Sequence, residues 1–112
     1  MSPITTHVLD TAQGRPAAGL EIYLEKKVGD SFVEIGRGHT NEDGRLPGLM
    51  QPGELEAATY RITFETGAWF EKEGTQGFYP YVPVTFQITA PEQHYHVPLL
   101  LSPFGFSTYR GS

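Results

Sequence analysis

Apolar and polar residues alternate with a period of two, in short runs cut off by Gly, Pro, Asn and Asp, and this pattern limits the chain more than any other. It is cleanest over Tyr81–Thr89, where Val82, Val84, Phe86 and Ile88 fall on one side. Successive side chains of an extended strand point to opposite faces, so such a run has one buried face and one wet face. Pro83, on the outer side, has no N–H for a ladder and predicts an edge strand or a bulge. Leu20–Val28 repeats the pattern, with Leu20, Ile22, Leu24 and Val28 expected inward against Glu21, Tyr23, Glu25 and Lys27. Gly29-Asp30-Ser31 then predicts a turn, and Phe32–Thr40 the returning strand of a hairpin.

The same period runs through the rest of the chain. Ile4–Leu9 alternates weakly and turns His7 away from Val8. Thr11–Gly19, rich in Gly, Pro and Ala, is expected to be a loop, and 41–58 holds at most a very short strand. Ala58–Glu65 places Tyr60, Ile62 and Phe64 on one face. Thr66–Gly74 is the one helical candidate, about two turns long, with Thr66 as cap and Gly74 as terminator. His94–Leu101 and Phe104–Tyr109 complete the series. Seven or eight short strands with turn signals between them, and no sustained helix, predict an all-β antiparallel sandwich of two sheets.

Composition removes several functions. The 112 residues suit a single domain, 1–112, able to bury roughly two-thirds of its unfolded surface. Without cysteine there is no disulfide framework and no thiolate nucleophile or metal ligand. A net charge of −5, with basic residues scattered singly apart from Lys26-Lys27, leaves no electrostatic footprint for nucleic acid. No apolar run nears the roughly 18 residues of a membrane span. The opening MSPITTHVLD has neither a basic nor an apolar leader region, so a cytoplasmic location is expected.

The last nineteen residues, HYHVPLLLSPFGFSTYRGS, are the least ordinary stretch. If they start as a strand, Tyr95, Val97, Leu99 and Leu101 form a plain core face, while His94, His96, Pro98 and Leu100 share the other. Two imidazoles followed by a proline and a leucine suit neither solvent nor core, and such a face points at a ligand or a partner. The ending Tyr109-Arg110-Gly111-Ser112, preceded by HVPLLLSP, closely resembles the C-terminal signature of the transthyretin-related hydrolases that open 5-hydroxyisourate. Thr6-His7-Val8-Leu9-Asp10 and Gly14-Arg15-Pro16-Ala17 are similar to that family's opening segment, and Thr40-Asn41-Glu42-Asp43-Gly44-Arg45 to its middle motif. The similarity runs essentially from end to end.

The resemblance implies an eight-stranded transthyretin-like sandwich with one short helix after the fifth strand, where Thr66–Gly74 falls. It also implies a homotetramer, built as a dimer of dimers, whose substrate is 5-hydroxyisourate and which needs no metal or other cofactor. Taken singly, a strand histidine is more often a hydrogen-bonded structural residue than a catalyst, and an arginine after Asp-Gly is usually a solvated turn residue. A terminal Tyr-Arg-Gly-Ser would ordinarily be a frayed tail. Here all of them fall on matched positions at once. By resemblance His7 and His96 activate water and move protons, and Arg45 holds a substrate carbonyl or the developing oxyanion. Tyr109 and Ser112 line the pocket, and Arg110 orients the tail or the substrate. How the two histidines divide the proton work stays open.

His94 is expected to be solvated, and His39 has no evident partner. His7, His94 and His96 could in principle form a three-histidine zinc site of the hydrolytic type, a reading ranked well below the metal-free one. Hydrolysis of a cyclic amide requires a base, an oxyanion partner and an acid for the leaving nitrogen, which these residue types supply. The rival readings are a transthyretin-like carrier of small aromatic ligands and a sandwich adhesion or sugar-binding module. Neither needs two histidines and an arginine on one face. Leu100, Phe104 and Phe106 predict apolar faces that an isolated monomer would leave wet.

Overall fold

Two adjacent alternating runs form the expected hairpin: β3 (Glu21–Val28) and β4 (Ser31–His39) pair antiparallel across the two-residue loop Gly29-Asp30. The structure, a computed structural model, describes residues 2–112. The other elements are β1 (Ile4–Asp10), β2 (Arg15–Pro16), β5 (Ala58–Phe64), α1 (Thr66–Lys72), β6 (Val82–Ile88), β7 (Tyr95–Ser102) and β8 (Gly105–Thr108). They make two four-stranded sheets with orders β2-β1-β7-β8 and β4-β3-β5-β6. The sandwich of eight strands with a helix after the fifth is therefore as expected.

The inner faces carry the predicted residues. Ile4 and Val8 of β1, Ile22 and Leu24 of β3, Tyr60, Ile62 and Phe64 of β5, and Leu99 of β7 are wholly buried. Burying a side chain of this size contributes about 1.5–3 kcal/mol each, so these faces hold the two sheets together. Two polar groups that enter the core find partners there: Thr6 Oγ1 donates to the Val97 carbonyl at 2.6 Å and Trp69 Nε1 to that of Ala18 at 2.8 Å.

Several expectations change. β1 and β7 run parallel, in continuous register from Ile4↔Tyr95 to Asp10↔Leu101, so the sheets are not wholly antiparallel. Residues separated by the whole length of the chain meet in this pair, and no local turn could have set its direction. The loop expected over 11–19 contains the short β2, which returns along β1. Val28, expected inward, is 57% exposed. The pairing of β3 with β5 ends at Lys26↔Tyr60, so the hairpin tip projects beyond its neighbour in the sheet. On β6 the alternation holds, but only Val82 and Ile88 are buried, and Val84 and Phe86 are half-covered because β6 is the sheet edge, as Pro83 predicted.

The helix begins one residue differently from the expectation. Thr66 is its first residue rather than its cap, Glu65 takes the cap position without a side-chain bond, and the buried Thr66 hydroxyl has no partner among the described residues. Its C-terminal end follows the expectation: the Gly74 N–H bonds the Glu71 carbonyl and the Thr75 N–H reaches back to that of Phe70, the Schellman pattern.

Candidate active site

The outer face of the β1–β7 pair is where the predicted residues gather. Parallel register sets Thr5 opposite His96 and His7 opposite Pro98, so His7 and His96 are diagonal neighbours on one face. Thr5 Oγ1 lies 2.8 Å from His96 Nδ1 and 3.0 Å from His94 Nε2, binding two imidazoles to one hydroxyl.

Arg45 reaches this face through a tight turn. Asn41 Oδ1 accepts from the N–H groups of Asp43 and Arg45, closing an Asx turn, and the Gly44 carbonyl then accepts the Val8 N–H at 2.8 Å. Gly44 has φ +75°, and a Cβ there would stand 2.4 Å from the Val8 carbonyl oxygen, so only glycine lets the turn lie on β1. The bridge continues as His7↔Arg45, which delivers the guanidinium beside the histidines. Among the described residues Arg45 has no carboxylate within ion-pairing distance, unlike Arg15, Lys26, Arg37 and Arg61.

On the other side of β7, the chain end is tied down. The Gly111 N–H bonds the His96 carbonyl at 2.8 Å, and a Cβ at Gly111 would come within 2.6 Å of His96 Cδ2. Arg110 lies over the Tyr95 ring at 4.2 Å and donates to Gln93 Oε1 at 3.0 Å. It acts on the tail, away from the cavity. Tyr109 is 57% exposed and likewise off the cavity wall, whereas Ser112 is on it.

These parts enclose a cavity of about 550 Å³, whose wall includes Thr5, Arg45, His94, His96 and Ser112, with Leu46, Pro47 and Gly48 closing one side. Its size is that of small-molecule sites. His7 stands at its margin beside Arg45 and is not on the wall. Burial pushes the His96 imidazole below the ordinary histidine range, and the neighbouring Arg45, His7 and His94 push the same way against the opposing pull of the Thr5 backbone. A half-buried base that stays neutral among cationic or potentially cationic neighbours can accept a proton from water, and an unpaired guanidinium can hold the oxyanion that follows.

His7, Arg45, His96 and Ser112 come together as expected; Tyr109, expected to line the pocket, lies off its wall, and of the two roles expected for Arg110 the structure shows the one on the tail. Sequence reasoning missed Thr5, whose only sequence signal is that it shares a strand face with His7. It also missed Ser2, whose hydroxyl accepts the Met50 N–H at 3.1 Å and ties the first residues to the 46–50 segment. His94 is exposed, as expected, but bonded to Thr5 and on the cavity wall. His39 lies on the far sheet, opposite Glu21. Among the described residues no three His, Asp or Glu side chains group closely enough to hold a metal ion, so His7, His94 and His96 do not make the zinc set that spacing allowed.

Fold and site together define a transthyretin-type sandwich that carries a histidine–arginine cavity on the outside of one sheet. A model of the HIUase/Transthyretin family matches residues 4–111, and the chain belongs to that family. It is 48% identical to 5-hydroxyisourate hydrolase of Mus musculus, with 99% of this chain and 96% of the mouse protein covered. The Klebsiella pneumoniae 5-hydroxyisourate hydrolase structure superposes with a TM-score of 0.85 at 36% identity, covering 97% of this chain and 98% of the other. Sea bream transthyretin, solved in complex with thyroxine, superposes at 0.92 with 30% identity, covering 97% and 94%. The backbone is thus shared by proteins named as hydrolases and a protein named as transthyretin, and the side chains of the site must decide between them.

Proposed function

We propose that the protein hydrolyses 5-hydroxyisourate, opening a ring C–N bond to give 2-oxo-4-hydroxy-4-carboxy-5-ureidoimidazoline in urate breakdown. The observation that carries this reading is the cavity where a neutral-biased His96 and an unpaired Arg45 meet, with His7 beside them. A histidine takes a proton from water as the oxygen attacks the ring carbonyl, and Arg45 holds the resulting oxyanion. Collapse breaks the C–N bond while a protonated histidine gives its proton to the leaving nitrogen, which restores the neutral base. A carrier needs none of these groups, and the similarity of this chain to named hydrolases at higher identity favours the enzyme.

We further propose that the working form is a homotetramer. Phe78, Tyr81, Phe104 and Phe106 are exposed large aromatics, Phe104 by 71%, and their apolar area suits burial against other copies. Freshly generated 5-hydroxyisourate should lose its ultraviolet absorbance faster with the protein than without it, chelator present or not. Equal decay rates at micromolar protein would refute the hydrolase.

A further inference from the structure

The Thr5 hydroxyl lies between two imidazole nitrogens, His96 Nδ1 at 2.8 Å and His94 Nε2 at 3.0 Å. A hydroxyl has one hydrogen, so it can donate to only one of these rings and must accept from the other. The two rings are therefore coupled. When Thr5 donates to His94, His96 holds its hydrogen on Nδ1 and its Nε2 is a free lone pair. When Thr5 donates to His96, the His96 hydrogen is on Nε2 and His94 donates from its own Nε2.

We propose that Thr5 is a proton relay, carrying to His94 the positive charge created when His96 acts as base. This deepens the hydrolase reading and rests on it. Water loses a proton to His96 Nε2 as its oxygen attacks the substrate. The His96 Nδ1–H bond breaks as a Thr5 O–H bond forms, and the original Thr5 hydrogen moves to His94 Nε2. His96 ends neutral with an Nε2–H, which is the form needed to protonate the leaving nitrogen, and His94 ends as the cation. Delivery of that proton runs the chain backwards and restores the start. Every bond broken is matched by one formed, with no further reactant.

The surroundings give the relay its purpose. His96 is half-buried and faces Arg45 from the 41–45 turn, His7 from β1 and His94 from its own segment. A charge left on it is opposed by burial and by a nearby guanidinium. His94 is exposed, and water can solvate a cation there.

Thr5→Val keeps the shape and removes the hydroxyl. Expected for Thr5→Val and His94→Gln are kcat losses of at least about tenfold with KM nearly unchanged, and recovery in Thr5→Ser. The double variant should lose no more than the worse single one, because both cut the same chain. Nitrogen NMR of the histidine rings, which needs no substrate, separates this proposal from the hydrolase reading. In the unmutated protein, the His96 hydrogen should move from Nδ1 to Nε2 when acid turns His94 into its cation, both rings being followed together. In Thr5→Val that coupling should vanish. A folded Thr5→Val or His94→Gln variant with kcat within about twofold of the unmutated protein would overturn the relay, as would His96 tautomers indifferent to His94. A protein that shows the coupling but does not hydrolyse 5-hydroxyisourate would refute the substrate and leave the hydrogen-bonded chain.

Discussion

The two faces of the β1–β7 pair meet opposite demands. Inward, Ile4, Thr6, Val8, Val97, Leu99 and Leu101 are buried, and the one hydroxyl among them has its partner. Outward, Thr5, His7, His96 and Leu100 are half-covered, and Arg45 approaches with no carboxylate among the described residues to neutralise it. A backbone satisfied by its ladder and clamped from within can hold an electrostatically unfavourable group of side chains on its other side. Stability and chemistry are thereby placed on alternate residues of the same strands.

That separation can be tested by substitution, and the largest effect belongs to the outer face. His96→Ala should reduce the hydrolysis rate by roughly 10²–10⁴-fold while the melting temperature stays close to that of the unmutated protein. A large fall in melting temperature would mean that the outer face also carries stability. Leu99→Ala is the mirror experiment. It should cost about 2–5 kcal/mol in denaturant unfolding and leave activity per folded molecule nearly intact, since Leu99 is buried on the inner face and does not line the cavity.

Intermediate effects are expected where the faces are joined. Gly111→Ala would press a methyl group on the His96 ring and should lower the rate about tenfold or more, with a smaller change in melting temperature. Deleting Tyr109–Ser112 should act in the same sense. It removes Ser112 from the wall and the Gly111 bond to His96, so a truncated chain of full activity would strip the tail of any role.

The smallest effects are shifts along the pH axis. As the proposed base His96 has to be neutral, and burial followed by Arg45, His7 and His94 depresses its pKa. The acid limb of kcat/KM should therefore fall below the ordinary histidine value of about 6.5. Arg45→Gln, whatever it does to the rate, should move that limb upward by removing one of the depressing charges. The stability counterpart has a defined sign. Below about pH 6.5 the unfolded chain takes up a proton that folded His96 resists, so the His96 contribution to stability declines as pH falls through that value. Loss of that slope in His96→Gln would assign it. Arg110→Ala, away from the cavity, should change the rate only a few-fold, by loosening the tail from Tyr95 and Gln93.

The sequence alone determined which side chains share a face. A period of two is a local property, fixed by backbone geometry from one residue to the next, and it correctly turned His7 away from Val8 and set His96 opposite to Val97. It also marked Pro83 as an edge residue and Gly74 as the helix stop. The resemblance over the quoted motifs added the family, the helix position and the set of candidate residues. Tertiary structure decided what lies opposite what. The direction and register of β1 on β7 follow from how the two inner faces close over one core, and nothing within either strand encodes them. That register puts Thr5 against His96 and brings His94 into the same hydrogen-bonded chain, while the Gly111 bond to His96 and the seat of Arg110 on Tyr95 hold Tyr109 and Arg110 off the cavity wall. Exposure of Val28 has the same origin, because whether an apolar residue is covered depends on how far the neighbouring elements run beside it, and β5 stops short of the hairpin tip.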